Sequence, residues 1–279
     1  MRIAILSGKG GAGKTLVAVN LAVTAKNAVY VDCDVEEPNG RLFLKPTGVT
    51  TSEVRTMLPS FDASKCTGCR KCVQFCRFNA LFYIKDKPMV FPGICHSCGG
   101  CQMVCPTNAI TEKPRPVGHV EEGLHDDVHV ITGVLNPGEA SGVPVIKAAR
   151  KAGEAHHADL EILDCPPGSA CSVMESVSDA DLCLLVAEPT AFGFHNFKMV
   201  HELVTLLGKS CGVIINKQDM AYEPLEQFCK DHSTPILARI PYDAEIARLA
   251  AGGELVSEKS EKASHIFHDL LDQIRKVAP

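Results

Sequence analysis

The first apolar run, Ile3-Ala4-Ile5-Leu6, stops at Ser7-Gly8 and gives way to a glycine-rich stretch. Over residues 15–25 the apolar positions Leu16, Val19 and Val23 then recur at helical spacing. Residues 28–31 form a second apolar run, closing on Asp32-Cys33-Asp34. Strand, glycine loop, helix and strand in that order make a βαβ unit, and continuous apolar strands of this kind are buried on both faces of a parallel sheet. Residues 160–163, 182–186 and 212–215 are further short apolar runs that end in polar loops, with helical stretches such as 197–207 between them. The pattern predicts an α/β fold with a doubly wound, mostly parallel sheet. Near the end, residues 263–277 put Ile266, Phe267, Leu270, Leu271 and Ile274 on one helical face. Such a face serves either packing or a membrane surface. Asp269 and Asp272, set against only Arg275 and Lys276, favour packing on the sheet.

The rhythm breaks over residues 61–112. Eight of the 14 cysteines fall between Cys66 and Cys105, and Lys65, Arg70, Lys71, Arg77, Lys85 and Lys87 are set against Asp62 and Asp86. The segment is also an internal repeat. Cys66, Cys69, Cys72 and Cys76 recur 29 residues later as Cys95, Cys98, Cys101 and Cys105, and each half continues into Asn-Ala and an aliphatic residue. Residues 61–112 therefore read as an insertion that splits one domain into 1–60 and 113–279, with Pro114-Arg115-Pro116 as its exit linker.

Composition narrows the class. Net charge is −5, so no bulk-basic surface points to nucleic acid. No apolar run approaches 18 residues, and Met1-Arg2 leads directly into a strand, so neither membrane insertion nor a signal peptide is expected. A disulfide scaffold would be short and cysteine-rich throughout. The expectation is a cytoplasmic protein whose clustered thiols stay reduced or bind metal, while Cys33, Cys165, Cys171, Cys183, Cys211 and Cys229 are small packing residues. Of these, Cys171 is the one to test.

Two motifs carry chemistry. Gly8-Lys9-Gly10-Gly11-Ala12-Gly13-Lys14-Thr15 fits G-x-x-x-x-G-K-[ST], between a strand and a helix as a phosphate loop requires. Its backbone N–H groups turn toward one point, Lys14 reaches the β- and γ-phosphates, and the Thr15 hydroxyl ligates Mg²⁺. The second motif is C-x₂-C-x₂-C-x₃-C, present twice. In such a pair three thiolates converge on one [4Fe–4S] cluster and the fourth ligates the other. Cys66, Cys69, Cys72 and Cys105 then hold one cluster, and Cys95, Cys98, Cys101 and Cys76 the other. Zinc is the competing reading, but its C-x₂-C halves stand further apart. Arg77 replaces the proline that follows such a run, whereas Pro106 keeps it.

With Lys9 included, the loop resembles the deviant Walker motif of the MinD/ParA/Mrp superfamily of P-loop ATPases, in particular those containing an inserted bacterial 2[4Fe–4S] ferredoxin-like domain of α+β type. The resemblance implies roles for residues throughout the chain. Lys9 crosses a nucleotide-sandwich dimer to the partner's phosphates. Asp34 orients the attacking water, and Asp32 and Asp164 support Mg²⁺. Gly168 senses the γ-phosphate. Gly8, Gly10, Gly11, Ala12, Gly13, Lys14, Thr15 and Leu16 hold the nucleotide, and Asn216, Pro241 and Asp243 lie against its base. The implied activity is slow, partner-stimulated, Mg-dependent ATP hydrolysis in a homodimer or a heterodimer with a related ATPase. It couples nucleotide state to electron transfer through two clusters to a redox partner. An ATP-dependent carrier of clusters to an accepting protein, and a MinD/ParA-like positioning ATPase with clusters as sensors, are the alternatives.

Overall fold

The computed structural model describes residues 1–85 and 87–277, so Asp86 of the charge balance lies outside the described residues. The opening run is β1 (Arg2–Leu6), the glycine loop leads into α1 (Lys14–Ala25), and β2 (Ala28–Asp32) follows. A short α2 (Gly40–Leu44) precedes two long strands, β3 (Thr47–Phe61) and β6 (Ile110–His125), which enclose the cysteine-rich segment. That segment holds α3 (Lys71–Phe75), the hairpin β4 (Leu81–Ile84) and β5 (Lys87–Val90), and α4 (Gly100–Met103). The chain then alternates: β7 (Val128–Leu135), α5 (Val143–Glu154), β8 (Leu160–Asp164), α6 (Cys171–Val177), β9 (Leu182–Ala187), α7 (Ala191–Leu206), β10 (Cys211–Gln218), α8 (Glu223–Asp231) and β11 (Ile236–Pro241). Three helices close it, α9 (Ala244–Ala251), α10 (Val256–Lys259) and α11 (Glu261–Val277).

Among the described residues, nine strands form one sheet in the order β11-β10-β9-β1-β8-β2-β7-β6-β3. The pairs from β11 to β7 are parallel, and β6 and β3 add an antiparallel edge. Strand alternation sends Ile3 and Ile5 into a core under α1, α9 and α11, while Ala4 and Leu6 enter a second core under α5, α6 and α7. Both faces of the sheet are thus covered, which is why its strands read as unbroken apolar runs. Phe267, Leu270, Leu271 and Ile274 of α11 are buried in the first core, so its apolar face is spent on packing. Among the described residues, no helix is long and apolar enough to cross a membrane.

Two readings change. Pro114-Arg115-Pro116 is not a linker but lies inside β6, opposite Met57, Thr56 and Arg55 of β3. Here β6 has β3 on one side only, because its pairing with β7 begins at Gly118. An open edge leaves room for residues without an N–H, so the prolines do not end the strand. The helix expected over 197–207 begins earlier, at Ala191, where the Thr190 hydroxyl oxygen accepts the Gly193 N–H at 3.0 Å.

Candidate nucleotide site and cysteine quartets

The glycine loop runs from the carboxyl end of β1 into α1, at the edge where parallel α/β sheets bind ligands. Gly13 caps α1 with φ 100°, and a Cβ there would meet Asn216 Nδ2 at 2.1 Å. Only glycine fits both constraints. The loop is braced from β10: Asn216 Nδ2 donates to Ala12 O at 2.8 Å, and Lys217 Nζ donates to Gly11 O at 2.7 Å. From the other side Gly168, at φ 90°, donates its N–H to Ser7 O at 3.0 Å.

Two carboxylates, Asp34 and Asp164, lie within reach of the charge of the buried Lys14, and Asp32 stands beside them. Asp164 ends β8 fully buried, with Oδ2 accepting the Tyr30 hydroxyl at 2.9 Å and Oδ1 buried without a partner among the described residues. Burial pushes its carboxyl up, while Lys14, Thr15 and Tyr30 pull it back. Asp32 faces Asp164 across the β2–β8 pair. Its Oδ1 accepts the Asp34 N–H at 3.1 Å and its Oδ2 the Gly40 N–H at 3.0 Å. Both Asp32 oxygens therefore shape the loop that carries Asp34. Burial, and then the charge of Asp164, hold Asp32 well above the usual carboxylate range. Burial likewise pushes Asp34 up to about 6, against the downward pull of Lys14.

A cavity of about 180 Å³ opens beside the loop, lined by Gly13, Leu16, Asn216, Pro241, Tyr242, Asp243 and Ile246, among others. The structure therefore brings Asn216 and the Pro241–Asp243 loop together with Leu16. The Asp243 carboxylate is engaged elsewhere: it caps α9 through the Glu245 N–H at 2.8 Å and pairs with Lys262 at 2.9 Å. Lys9 is also partnered. It forms an ion pair with Glu188, just past β9, and lies 5.3 Å over the Phe192 ring. Neither Glu188 nor Tyr30 stands out in the sequence. Both act through contacts with residues more than 130 positions away.

The eight clustered thiols are free and fall into two quartets. Cys76, Cys95, Cys98 and Cys101 line one cavity of about 240 Å³, with Phe75, Phe78 and Leu81 in its wall. Cys66, Cys69, Cys72 and Cys105 line a tighter one of about 20 Å³. The fourth cysteine of each run thus joins the other run's three. Backbone geometry repeats with the sequence: the left-handed residues Gly68, Arg70 and Asn79 have counterparts 29 positions on in Ser97, Gly99 and Asn108. Burial pushes the Cys101 thiol up to about 11 and also raises Cys72. Cys105 is held below its usual value despite burial by surrounding donors, among them the Ala109 N–H at 3.3 Å from its sulfur. Among the described residues, the metal-capable side chains with ligand atoms within 4.8 Å of one another are His125, Asp126 and Glu258, at the opposite end of the sheet. No three of the clustered thiols approach that closely. Of the remaining cysteines, Cys33, Cys165, Cys183 and Cys229 are buried, Cys211 is half-buried and Cys171 is exposed at the start of α6.

A glycine loop at the carboxyl edge of a doubly wound sheet, with a buried lysine facing strand-end carboxylates, defines a P-loop nucleotide-binding protein. The chain belongs to the CobQ/CobB/MinD/ParA nucleotide-binding domain family, whose model matches residues 3–256. It is 29% identical over 281 residues to the uncharacterized protein MJ0578 of Methanocaldococcus jannaschii, covering 99% of this chain and 97% of that one. It shares the fold of the septum site-determining protein MinD complexed with Mg-ADP from Pyrococcus horikoshii. That match has a TM-score of 0.59 and 19% identity, over 99% of this chain and 96% of the other. Over 56 residues, 19% of this chain and 73% of the relative, it is 38% identical to an uncharacterized ferredoxin of Methanocaldococcus jannaschii.

Proposed function

We propose that the protein is a cytoplasmic, Mg-dependent ATPase of the MinD type. In this reading it closes as a dimer over nucleotide and carries two [4Fe–4S] clusters in residues 61–112, whose delivery of electrons to a partner protein depends on nucleotide state. The observation that carries the ATPase reading is the convergence of Lys14, Thr15 and the orphaned Asp164 Oδ1 at the mouth of the glycine loop. A buried carboxylate oxygen without a donor, beside a hydroxyl and an ammonium, fits a Mg²⁺ ion held through water. Leu16, Asn216 and the Pro241–Asp243 loop supply a base cavity. Hydrolysis joins a water oxygen to the γ-phosphorus and breaks its bond to the β-phosphate oxygen, and it requires chiefly positioning and charge stabilisation. In this assignment Asp34 orients the water as a carboxylate, Lys14 neutralises the phosphates, and Gly168 reads the γ-phosphate through its tie to Ser7.

The two thiol quartets support the cluster reading. Thiolates on one zinc ion stand about 3.8 Å apart, closer than any three of these thiols. Eight thiols in two separated sets, with donors at Cys105 and apolar walls at the larger cavity, suit two cubanes instead. When bound, such clusters store and pass single electrons. The positions of Cys76 and Cys105 among the opposite triplets follow the crossed ligation that such repeats use. The family and the fold shared with MinD favour the alternative, a MinD/ParA-like positioning ATPase with the clusters as sensors, over the electron-transfer reading. In that case α11 cannot serve as a membrane-surface anchor, because its apolar face is buried.

The test of coupling is the rate at which dithionite-reduced protein passes electrons to a soluble one-electron acceptor, with ATP analogue, with ADP and without nucleotide. A rate that differs between the first two supports gating, and three identical rates overturn it. Hydrolysis should also carry an acid limb. Asp34 favours its neutral form in the fold, so its contribution to stability is full below about 3.8 and lost as pH rises through about 6. Activity has the opposite sign, because the carboxylate is the working form. The rate should fall about tenfold per pH unit below 6. A flat kcat profile between pH 5 and 7 would remove Asp34 from the assignment.

A further inference from the structure

We infer that Glu188 is a positioning residue that holds Lys9 within its own subunit and so sets how readily two subunits close over nucleotide. The inference rests on the dimer reading above. Glu188 follows β9 directly, and its side chain is only 11% exposed. Both carboxylate oxygens are in use: Oε2 pairs with Lys9 Nζ, and Oε1 pairs with Lys217 Nζ at 2.7 Å. Burial alone would raise its carboxyl, but Lys217 and Lys9 hold it below the usual range. The Lys9 ammonium is therefore held in cis from two sides, by this carboxylate and by the ring of Phe192.

Lys217 makes the arrangement more than a surface pair. Its Nζ bridges Glu188 to the Gly11 carbonyl, so the carboxylate that holds Lys9 is fixed to the phosphate loop itself. A lysine in that position cannot reach a second subunit until the Glu188 contact is given up. The cost of closing includes that exchange, once for each subunit in a two-fold dimer. Nucleotide phosphates arriving at the loop offer Lys217 a competing anion and loosen the clamp from one side. Glu188 then converts occupancy of the loop into freedom of Lys9.

Glu188→Gln keeps the shape and removes the charge. In sedimentation velocity with Mg²⁺ and a non-hydrolysable ATP analogue, this variant should dimerise more tightly than wild type. A partly exposed ion pair is worth roughly fivefold, so two released lysines lower the dimer dissociation constant about 25-fold. Glu188→Asp, which retains the charge, should stay near wild type. Adding Lys9→Ala to Glu188→Gln should erase the gain. Analogue affinity of Glu188→Gln, measured at concentrations where it is monomeric, should equal or exceed that of wild type, because Lys217 no longer has a carboxylate to leave, and a weaker affinity would mean that the loop itself is damaged. If Glu188→Gln folds and dimerises no more tightly than a dimerising wild type, the clamp is wrong while the dimer reading stands. If wild type and variant both stay monomeric at every concentration with analogue bound, both fall together.

Discussion

Lys14→Ala should lower ATP hydrolysis roughly a hundred- to a thousandfold, the loss seen when one preorganised donor is removed from a developing charge. The effect is large because Lys14 is 6% exposed and is the cation that lowers both Asp34 and Asp164. Without it, the half-buried Asp34 and the buried Asp164 face the incoming phosphates with no ammonium between them. Those groups would take up protons instead, so Asp34 would lose its carboxylate form at a higher pH than in wild type. Arginine should not rescue, since a planar guanidinium differs in shape and donor geometry from a compact ammonium. Steady-state phosphate release, with circular dichroism to verify folding, checks the effect. Retention of more than a tenth of the wild-type rate would mean that this lysine does not meet the phosphates.

Cys76→Ala should remove one whole cluster and leave the other. Anaerobically prepared wild type should carry about eight iron atoms per chain, and the variant about four. The crossed arrangement makes a sharper claim than the count. Cys76 lines the cavity of Cys95, Cys98 and Cys101, so the lost electron paramagnetic resonance signal should be the one also lost in Cys98→Ala. Cys105→Ala should instead match Cys69→Ala. If Cys76→Ala matches Cys69→Ala, each run ligates its own cluster and the assignment is reversed. Cys171→Ser, outside both quartets, should leave iron content unchanged.

The phosphate loop and the repeat were readable in the sequence because both are local. A short stretch of glycines and one lysine is enough to build an anion cradle. Four cysteines at fixed spacing are enough to name a quartet, including its crossed member. The strands of the sheet were readable where both faces are buried, as in residues 182–186, because burial on two sides leaves no polar position to break the run. The antiparallel edge was not. Residues 47–61 are largely solvent-exposed, so few positions carry an apolar signal. The Pro-x-Pro within residues 110–125 looks like a chain terminator until the missing neighbour on one side is known. Contacts that join distant strands, such as Tyr30 to Asp164 or Glu188 to Lys9, leave no mark in spacing at all. Asp243 marks another limit: it lines the cavity beside the glycine loop, but its carboxylate serves as a helix cap.

The two long edge strands have a consequence for how the cysteine segment is joined to the sheet. Phe61 and Ile110 are directly opposite partners, and the Asp62 N–H still reaches Ala109 O at 2.8 Å beyond them. Opposed strand residues stand about 5 Å apart, which a two-residue hairpin turn would also span. Everything between those positions therefore enters and leaves through a single closed doorway. A plain turn at this tip would leave the same sheet, the same phosphate loop and the same two cores, neither of which draws on residues 62–109. The thiol repeat could be acquired, duplicated or lost there without disturbing the register of any strand, because the entropy of closing a loop is set by its ends and grows only slowly with what lies between.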